Sequence, residues 1–434
     1  MKQVLIIGFG KTGKAFYEHE KHLAEVSIYD DRPVVFSEPF LPFDEAKQYD
    51  YALISPGVPP NHPVWMHCLQ QGIEVYGEIE YAWQELAGHV IGITGTNGKT
   101  TTTTLAFEMI RQNHQRTFLA GNIGFALLNY VPESRSDDLY ITELSSFQLE
   151  TTKNFTPLFG AITNLTPDHL KWHGSMTDYI NAKFRLFHNK SDLRNIVINR
   201  DDPVLIQALS DRGFDPADFT GFSHTTQLEH GCFLKNDQIV FRNGTEEAIL
   251  SLDEVRIQGI HNLENCLCAI ALAKLANTPN EHIRLVLRQF AGIAHRYELI
   301  AEKAGRRFIN DSKATNPDST IPALKSVVRP TVWIAGGMDK GSDFSAMLDY
   351  AKDRVEHLIL LGENKLIMKQ TAITAGLDQI HLVETLDQAF DLAIELTRPG
   401  YDILLSPASA SWDMYPNFEA RGDHFRQLVG AWHV

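Results

Sequence analysis

Cysteine is scarce in this 434-residue chain: there are four, and no two stand in a C-x-x-C pair. Cys68 and Cys232 stand apart, while Cys266 and Cys268 form a C-x-C whose side chains lie about 200° apart if the segment is helical. Neither a disulfide framework nor a thiolate metal site is expected, and the four read as reduced core residues of a cytoplasmic protein. Positive charge is also short, with 39 Lys and Arg against 54 Asp and Glu and a formal net charge of −15. Without a basic excess, nucleic acid and anionic lipid surfaces are not expected partners, so any phosphate site must be local. Long apolar runs are missing too. No stretch approaches the roughly 18 residues of a membrane span, and the early VLII is too short for a signal-peptide core, so no membrane insertion is expected.

What is present is enough chain for two or three cores. Short apolar strand candidates alternate with helical stretches, an α/β pattern. A first set comprises VLIIG (4–8), EVSIYD (25–30), YALIS (51–55) and IEVYG (73–77). A second runs through VIGITG (90–95), TFLAG (117–121), LYITEL (139–144), GAITNL (160–165) and NIVINR (195–200). Residues 201–260 are richer in polar residues and turns, and GCFLKNDQIVFRNG (231–244) reads as a hairpin around Asn236-Asp237, a small β subregion before a helix beginning near Asn262. A third set comprises RFINDS (307–312), TVWIAGG (331–337), HLILLG (357–362), IHLVE (380–384) and DILLSP (402–407). Boundaries near Ala87 and Gly292 give three domains, 1–87, 88–292 and 293–434.

The most specific motif is HVIGITGTNGKTTTTT (89–104), an apolar strand running into a Gly-rich turn with a lysine and a hydroxyl run. Gly95 and Gly98 let the backbone aim its N–H groups at phosphate oxygens, with Thr96 and Asn97 between them. Lys99 adds a mobile charge, Thr100 offers a hydroxyl to Mg²⁺, and Thr101 continues the helix start. The pattern is a shortened GTNGKTT, because Ile93 occupies the place of the first glycine in G-x-x-x-x-G-K-[ST]. The first strand leads into GFGKTG (8–13), a G-x-G-x-x-G turn, and Asp30 closes the next strand. That turn fits NAD, another pyrophosphate, a nucleoside met by Asp30-Asp31-Arg32, or no ligand at all. The expected fold is therefore a Rossmann-like N-terminal domain, a central P-loop ATPase-like domain with a parallel sheet, and a Rossmann-like C-terminal domain.

Further along, Glu143 stands at the carboxyl end of a strand, either a Mg²⁺ ligand or an ordinary strand-end acid. His169, in NLTPDH, follows another strand end and could join it, or be structural. Lys183 in YINAKFRLF reads first as a solvated helix lysine. Ammonium cannot ligate Mg²⁺, so a metal role would require converting the amine to an oxygen acid. Arg296, Asp311, Lys313, Lys340 and Ser411 lie in turn-like segments of the third domain, which suits anionic ligands or plain surface charge.

The order GTNGKTT, GNIG (121–124), ELSSFQLE, NLTPDHL, AKFRLF, GIHNLEN (259–265), AHRYE, NDSKATN and NFEARG (417–422) resembles the Mur ligases, ATP-dependent amino-acid ligases of cell-wall precursor assembly. NDSKATN with SPASASWDMYPNFEARG points to the D-glutamate-adding branch. The resemblance implies ATP and Mg²⁺ as cofactors, and UDP-N-acetylmuramoyl-L-alanine and D-glutamate as substrates of a monomer. It implies that Thr12, Asp30, Asp31, Arg32 and Ser55 face the uridine diphosphate, and that Asn122, Ser145 and Gln148 line the muramoyl-alanine arm. It places Thr100, Glu143 and His169 around Mg²⁺, and matches Lys183 to a lysine that is carbamylated in the family, which would supply the missing oxygen acid. Asn262, Arg296, Asp311 and Lys313 would contact ATP, while Thr315, Lys340, Ser411 and Phe418 would receive D-glutamate. Asp31, where a threonine is frequent, and Trp412, where a smaller apolar residue is expected, depart from the pattern. An NAD-dependent oxidoreductase and a UDP-sugar sensor are the competing readings.

Overall fold

Among the described residues, twenty strands form three sheets, each dominated by parallel pairing. The computed structural model describes residues 1–434 apart from Val35, Ser37, Pro39, Gln258, Lys340 and Val434, and for Lys171 the backbone alone. The first sheet holds β1 (Lys2–Ile7), β2 (Ala24–Tyr29), β3 (Leu41–Pro42), β4 (Tyr51–Ile54) and β5 (Glu74–Gly77) in the order β3-β2-β1-β4-β5. Its strands are parallel, with a helix in the β1–β2 and β4–β5 crossovers, and the order reverses beside β1, where open α/β sheets receive ligands. Val4 to Ile7 are all buried, as a strand covered on both faces requires.

The second sheet comprises β6 (His89–Thr94), β7 (Thr117–Gly121), β8 (Leu139–Glu143), β9 (Phe159–Ile162), β10 (Ile196–Asn199), β11 (Thr220–Ser223), β12 (His230–Lys235), β13 (Gln238–Asn243) and β14 (Thr245–Ser251). Its order is β14-β13-β12-β11-β10-β9-β6-β8-β7. The expected hairpin is β12–β13, with Asn236 and Asp237 both left-handed (φ 49° and 59°), as a tight two-residue turn demands. β11 pairs parallel with β12, so the hairpin continues the central sheet as its antiparallel edge. The following helix, Ile260–Leu275, starts two residues before the expected point and is buried along the run 265–273, which includes Cys266 and Cys268.

The third sheet contains β15 (Glu298–Lys303), β16 (Arg306–Asn310), β17 (Thr331–Ala335), β18 (Val355–Leu360), β19 (Ile380–Leu382) and β20 (Asp402–Leu405), ordered β15-β16-β20-β17-β18-β19. Only β15 runs antiparallel, at one edge of the sheet, and none of its residues is fully buried. The chain divides into two compact units, Met1–Phe290 with the first two sheets and Ala291–Val434 with the third. No helix among the described residues is long and apolar enough to cross a membrane.

The helix Glu78–Glu85 explains why the first two sheets share one unit. Its Ile79 and Ala82 enter a core that includes Val4 and Phe16 from one side and Val90, Leu149 and Phe155 from the other. Buried Glu80 accepts the backbone N–H groups of Lys153, Asn154 and Phe155 at 2.9–3.0 Å, and buried Glu78 accepts that of Leu128 at 2.8 Å. Burial lifts the Glu78 carboxyl from its ordinary 4.5 to about 7, against the opposing backbone donors. A carboxyl raised in the folded state binds its proton more tightly there than in the unfolded chain. Its contribution is therefore present at acidic pH and is lost as pH rises from about 4.5 through 7, by up to about 3 kcal/mol. Glu78→Gln, which cannot ionise but keeps an acceptor oxygen, is expected to flatten this slope. Denaturant midpoints of both proteins between pH 5 and 8 check it, and parallel curves would disprove the assignment.

Candidate functional site

The carboxyl ends of β6, β8 and β9 carry several of the site residues expected from the sequence. After β6 the chain turns through Gly95 (φ 144°) and Gly98 (φ 78°) into the helix Lys99–Ile110. A Cβ at Gly95 would overlap Thr163 Oγ1, and one at Gly98 would overlap Asn265 Oδ1. The loop is fixed from the segment after β9: Thr96 N–H donates to Asn164 O (2.9 Å) and Asn97 N–H to Asn164 Oδ1 (2.8 Å). The hydroxyl of Thr163 donates to Asn97 O (2.6 Å), and Thr96 Oγ1 accepts from Thr166 N–H (3.0 Å). Thr100 and Thr101 are buried at the helix start. Lys99 Nζ donates to the carbonyls of Gly95 (3.0 Å) and Thr96 (2.8 Å), which curls it over the loop.

Lys183 overturns the solvated-lysine reading. It is 1% exposed on the helix Met176–Phe184, with Nζ 2.7 Å from Gly95 O and 4.6 Å from the Tyr179 ring centroid. Burial, reinforced by the Lys99 charge, pushes its ammonium well below the usual range. A single carbonyl, that of Gly95, thus receives both lysines.

Glu143 ends β8 opposite Ile93 and is 2% exposed. Asn122 Nδ2 donates to its Oε1 (2.8 Å), while its Oε2 is buried without a hydrogen-bond partner among the described residues. An orphaned carboxylate oxygen beside a phosphate loop suits a hard cation. His169 bonds elsewhere: half exposed, in a left-handed conformation (φ 53°), its Nε2 lies 3.3 Å from Asp168. Ser145 and Gln148 hydrogen-bond each other in a capping box on the helix Ser146–Glu150. Sequence reading passed over His173, whose Nε2 is 2.9 Å from Ser146 Oγ. Burial and then the Lys183 charge push its imidazole down to about 4. It also passed over Asn265, which touches the loop from the helix that begins near Asn262. Asp201, His224 and Glu264 form a further charged group, with His224 Nδ1 2.9 Å and 3.4 Å from the two carboxylates.

At the first sheet, Gly8 is left-handed (φ 84°) and Gly13 lies so close to Gly8 O that a Cβ would overlap it. Ser55 Oγ donates to Gly8 O (2.6 Å), and Asp30 accepts Phe9 N–H (2.7 Å) and Arg32 N–H (3.0 Å). Partial burial works against these bonds, but they hold the Asp30 carboxyl below its usual range. Asp31 is largely exposed and takes hydrogen bonds with His62 and Tyr29, both 3.1 Å, while Arg32 reaches solvent. Thr12 stands in the first turn of the helix Lys11–Glu20.

In the second unit, Arg296 sits between two left-handed residues, His295 (φ 63°) and Tyr297 (φ 44°). Asp311 is buried, accepts from Ser406 Oγ (2.6 Å) and Tyr297 N–H (3.0 Å), and is raised by that burial to about 7. Lys313 N–H donates to His295 O (2.9 Å). The segments carrying Thr315, Ser411 and Phe418 meet at Arg421, a residue of NFEARG that motif reading did not single out. Its buried guanidinium donates to Ser312 O (2.9 Å), Ser312 Oγ (3.0 Å) and Ser409 O (3.0 Å), and Ser312 Oγ donates in turn to Phe418 O (2.8 Å). Lys340 lies outside the described residues.

Residues 93–273 match the Mur ligase middle domain, and residues 295–409 match the Mur ligase, glutamate ligase domain. A UDP-N-acetylmuramoylalanine–D-glutamate ligase of Alkaliphilus oremlandii (strain OhILAs) is 39% identical over 99% of this chain and 98% of its own. The protein of that name from Clostridioides difficile (strain 630) is 38% identical, with the same coverage. The fold is similar to that of the Thermotoga maritima MurF ligase in complex with ADP, with a TM-score of 0.57, 13% identity and coverage of 98% and 95% of the two chains. It is also similar to a UDP-N-acetylmuramate-alanine ligase, MurC, of Thermotoga maritima, with a TM-score of 0.54, 18% identity and coverage of 99% and 100%. With two domain matches in order and this identity along its whole length, the chain belongs to the Mur ligase family, among the UDP-N-acetylmuramoylalanine–D-glutamate ligases.

Proposed function

We propose that this chain joins D-glutamate to the alanine carboxylate of UDP-N-acetylmuramoyl-L-alanine, with ATP converted to ADP and phosphate, as a step of peptidoglycan precursor synthesis in the cytoplasm. Its full-length likeness to the D-glutamate ligases supports the choice of substrates. The observation that carries the chemistry is the convergence of Lys99 and Lys183 on Gly95 O, beside the strand that ends in Glu143. We assign residues 1–87 to the UDP moiety, 88–292 to ATP, and 293–434 to D-glutamate and part of ATP.

A carboxylate is a poor electrophile, so its oxygen takes the γ-phosphoryl group of ATP to give an acyl phosphate and ADP. The N–H groups of the helix start and Lys99 hold the phosphates, those of Thr96 and Asn97 being taken by Asn164, so catalysis is mainly positioning and charge neutralisation. Thr100, Glu143, His169 and carbamylated Lys183 would hold Mg²⁺, which would neutralise charge on the phosphate oxygens. The D-glutamate amine, held by Thr315, Lys340, Ser411 and Phe418, then attacks the acyl carbon and phosphate leaves. His169 has one basic nitrogen, so as the alternative to holding Mg²⁺ it would position the amine or take its proton, and His169→Ala with unchanged turnover would refute either role.

The deciding test is phosphate release from ATP with UDP-N-acetylmuramoyl-L-alanine and each of D-glutamate, L-glutamate, L-alanine and L-lysine. Release is expected with D-glutamate alone, together with the matching amide. Release with another amino acid would reassign the step, and none with any would sink the ligase reading.

A further inference from the structure

The segments that follow β8 and β9 are joined by a group of aromatic rings centred on Phe147. Phe147 stands in the first turn of the helix Ser146–Glu150. Its ring centroid lies 4.7 Å from that of His169, 4.6 Å from Trp172 and 5.6 Å from His173, nearly parallel to the last at 9°. Behind it, the His173 ring meets Tyr179 at 5.3 Å, and the Tyr179 hydroxyl is 2.9 Å from Thr96 Oγ1 in the phosphate loop. A continuous line of contacts therefore runs from the phosphate loop to His169.

His169 needs such support. A non-glycine residue at φ 53° is strained by about 1–2 kcal/mol, and such strain persists where the surroundings over-determine it. Its side chain is 50% exposed, and Asp168, its ionic neighbour, is the preceding residue of the same turn and is itself partly exposed. Among the described residues, the ring that packs on it from another segment is Phe147. Offset or tilted rings at this separation favour one mutual orientation beyond the area they bury. His173 fixes the base of the arrangement through Ser146, the residue just before Phe147.

We propose that Phe147 is a positioning residue for His169, tying the turn after β9 to the segment that carries Glu143 and Ser145 and setting where the imidazole stands. The proposal rests on the ligase reading for its catalytic consequence, though not for its geometry. A displaced catalytic group slows the chemical step more than it weakens substrate binding, and misplacement by about 1 Å can cost on the order of 100-fold.

The test is a double-mutant cycle in the full chain with Phe147→Ala, His169→Ala and the pair. Phe147→Ala is expected to lower kcat by roughly 10- to 100-fold with little change in KM for D-glutamate, and that loss should vanish in the His169→Ala background. An equal loss in both backgrounds, or none in either, overturns the proposal, because a merely structural role would be independent of His169. Phe147→Leu, which retains apolar volume, supplies a second readout in protein labelled with ¹³C at histidine. The ring-proton resonance assigned through His169→Gln should move when the aromatic ring current is removed, and an unmoved resonance also overturns the proposal. Wild-type protein that makes no D-glutamate amide would defeat the ligase reading, while the resonance shift would still decide the geometry.

Discussion

Lys183→Ala is expected to lower D-glutamate-dependent phosphate release by at least about 100-fold, the scale on which removal of a single transition-state-stabilising group is felt. The native amine is buried against Gly95 O and its ammonium is disfavoured, first by burial and then by Lys99. The neutral amine so favoured is the form that can attack carbon dioxide. A new N–C bond forms, a proton is released, and the product is a carbamate that offers two oxygens where an ammonium offers none. Alanine leaves a space at the same place. Formate or acetate at high concentration is therefore expected to restore part of the activity to Lys183→Ala and none to the wild type. An alanine variant as active as wild type, or one that no short carboxylate rescues, would remove the carbamate from the proposal.

A comparable loss is expected for Gly95→Ala. At φ 144° a side chain is strained whatever the space, and here the Cβ would overlap the hydroxyl of Thr163, a buried β-branched residue held in its rotamer by a bond to Asn97 O. Relief can come only by moving the peptide whose carbonyl receives both Lys99 and Lys183. The expected result is a fall in ATP affinity and turnover of about 100-fold together, with the thermal midpoint changed far less. Adding Thr163→Ala removes the overlap but also the bond to Asn97, so recovery should be partial. ATP titration calorimetry on the single and double variants checks this, and unchanged ATP affinity in Gly95→Ala would show that the loop does not hold the phosphates.

The phosphate loop was legible because its requirements are local. Two glycines, a lysine and a hydroxyl run must follow an apolar strand contiguously, and GTNGKTT does so. Glu143 could be placed for a related reason, since β8 ends there and parallel sheets gather their carboxyl ends on one side. The hairpin at Asn236-Asp237 was equally local, but its membership of the central sheet was not, because β11 pairs with β12 across the loop that separates them. Ser145 and Gln148, expected from the resemblance to line the muramoyl-alanine arm, also bond each other as a helix cap, which S-x-x-Q spacing alone would have suggested.

By itself, then, the sequence determined the α/β class, the strand–loop–helix at 89–110, and, through motifs in order along the chain, the family. These follow from short-range stereochemistry and from residue types that must be adjacent. Only the tertiary structure decided that Lys183 is buried against Gly95 rather than solvated, that Glu143 keeps an oxygen unpaired among the described residues, that Asn265 and Arg421 brace loops from distant segments, and that Phe147 lies on His169. Burial, unmet hydrogen bonds and ring contacts depend on what other parts of the chain bring near a residue, and that information is not carried by the residue's neighbours in sequence.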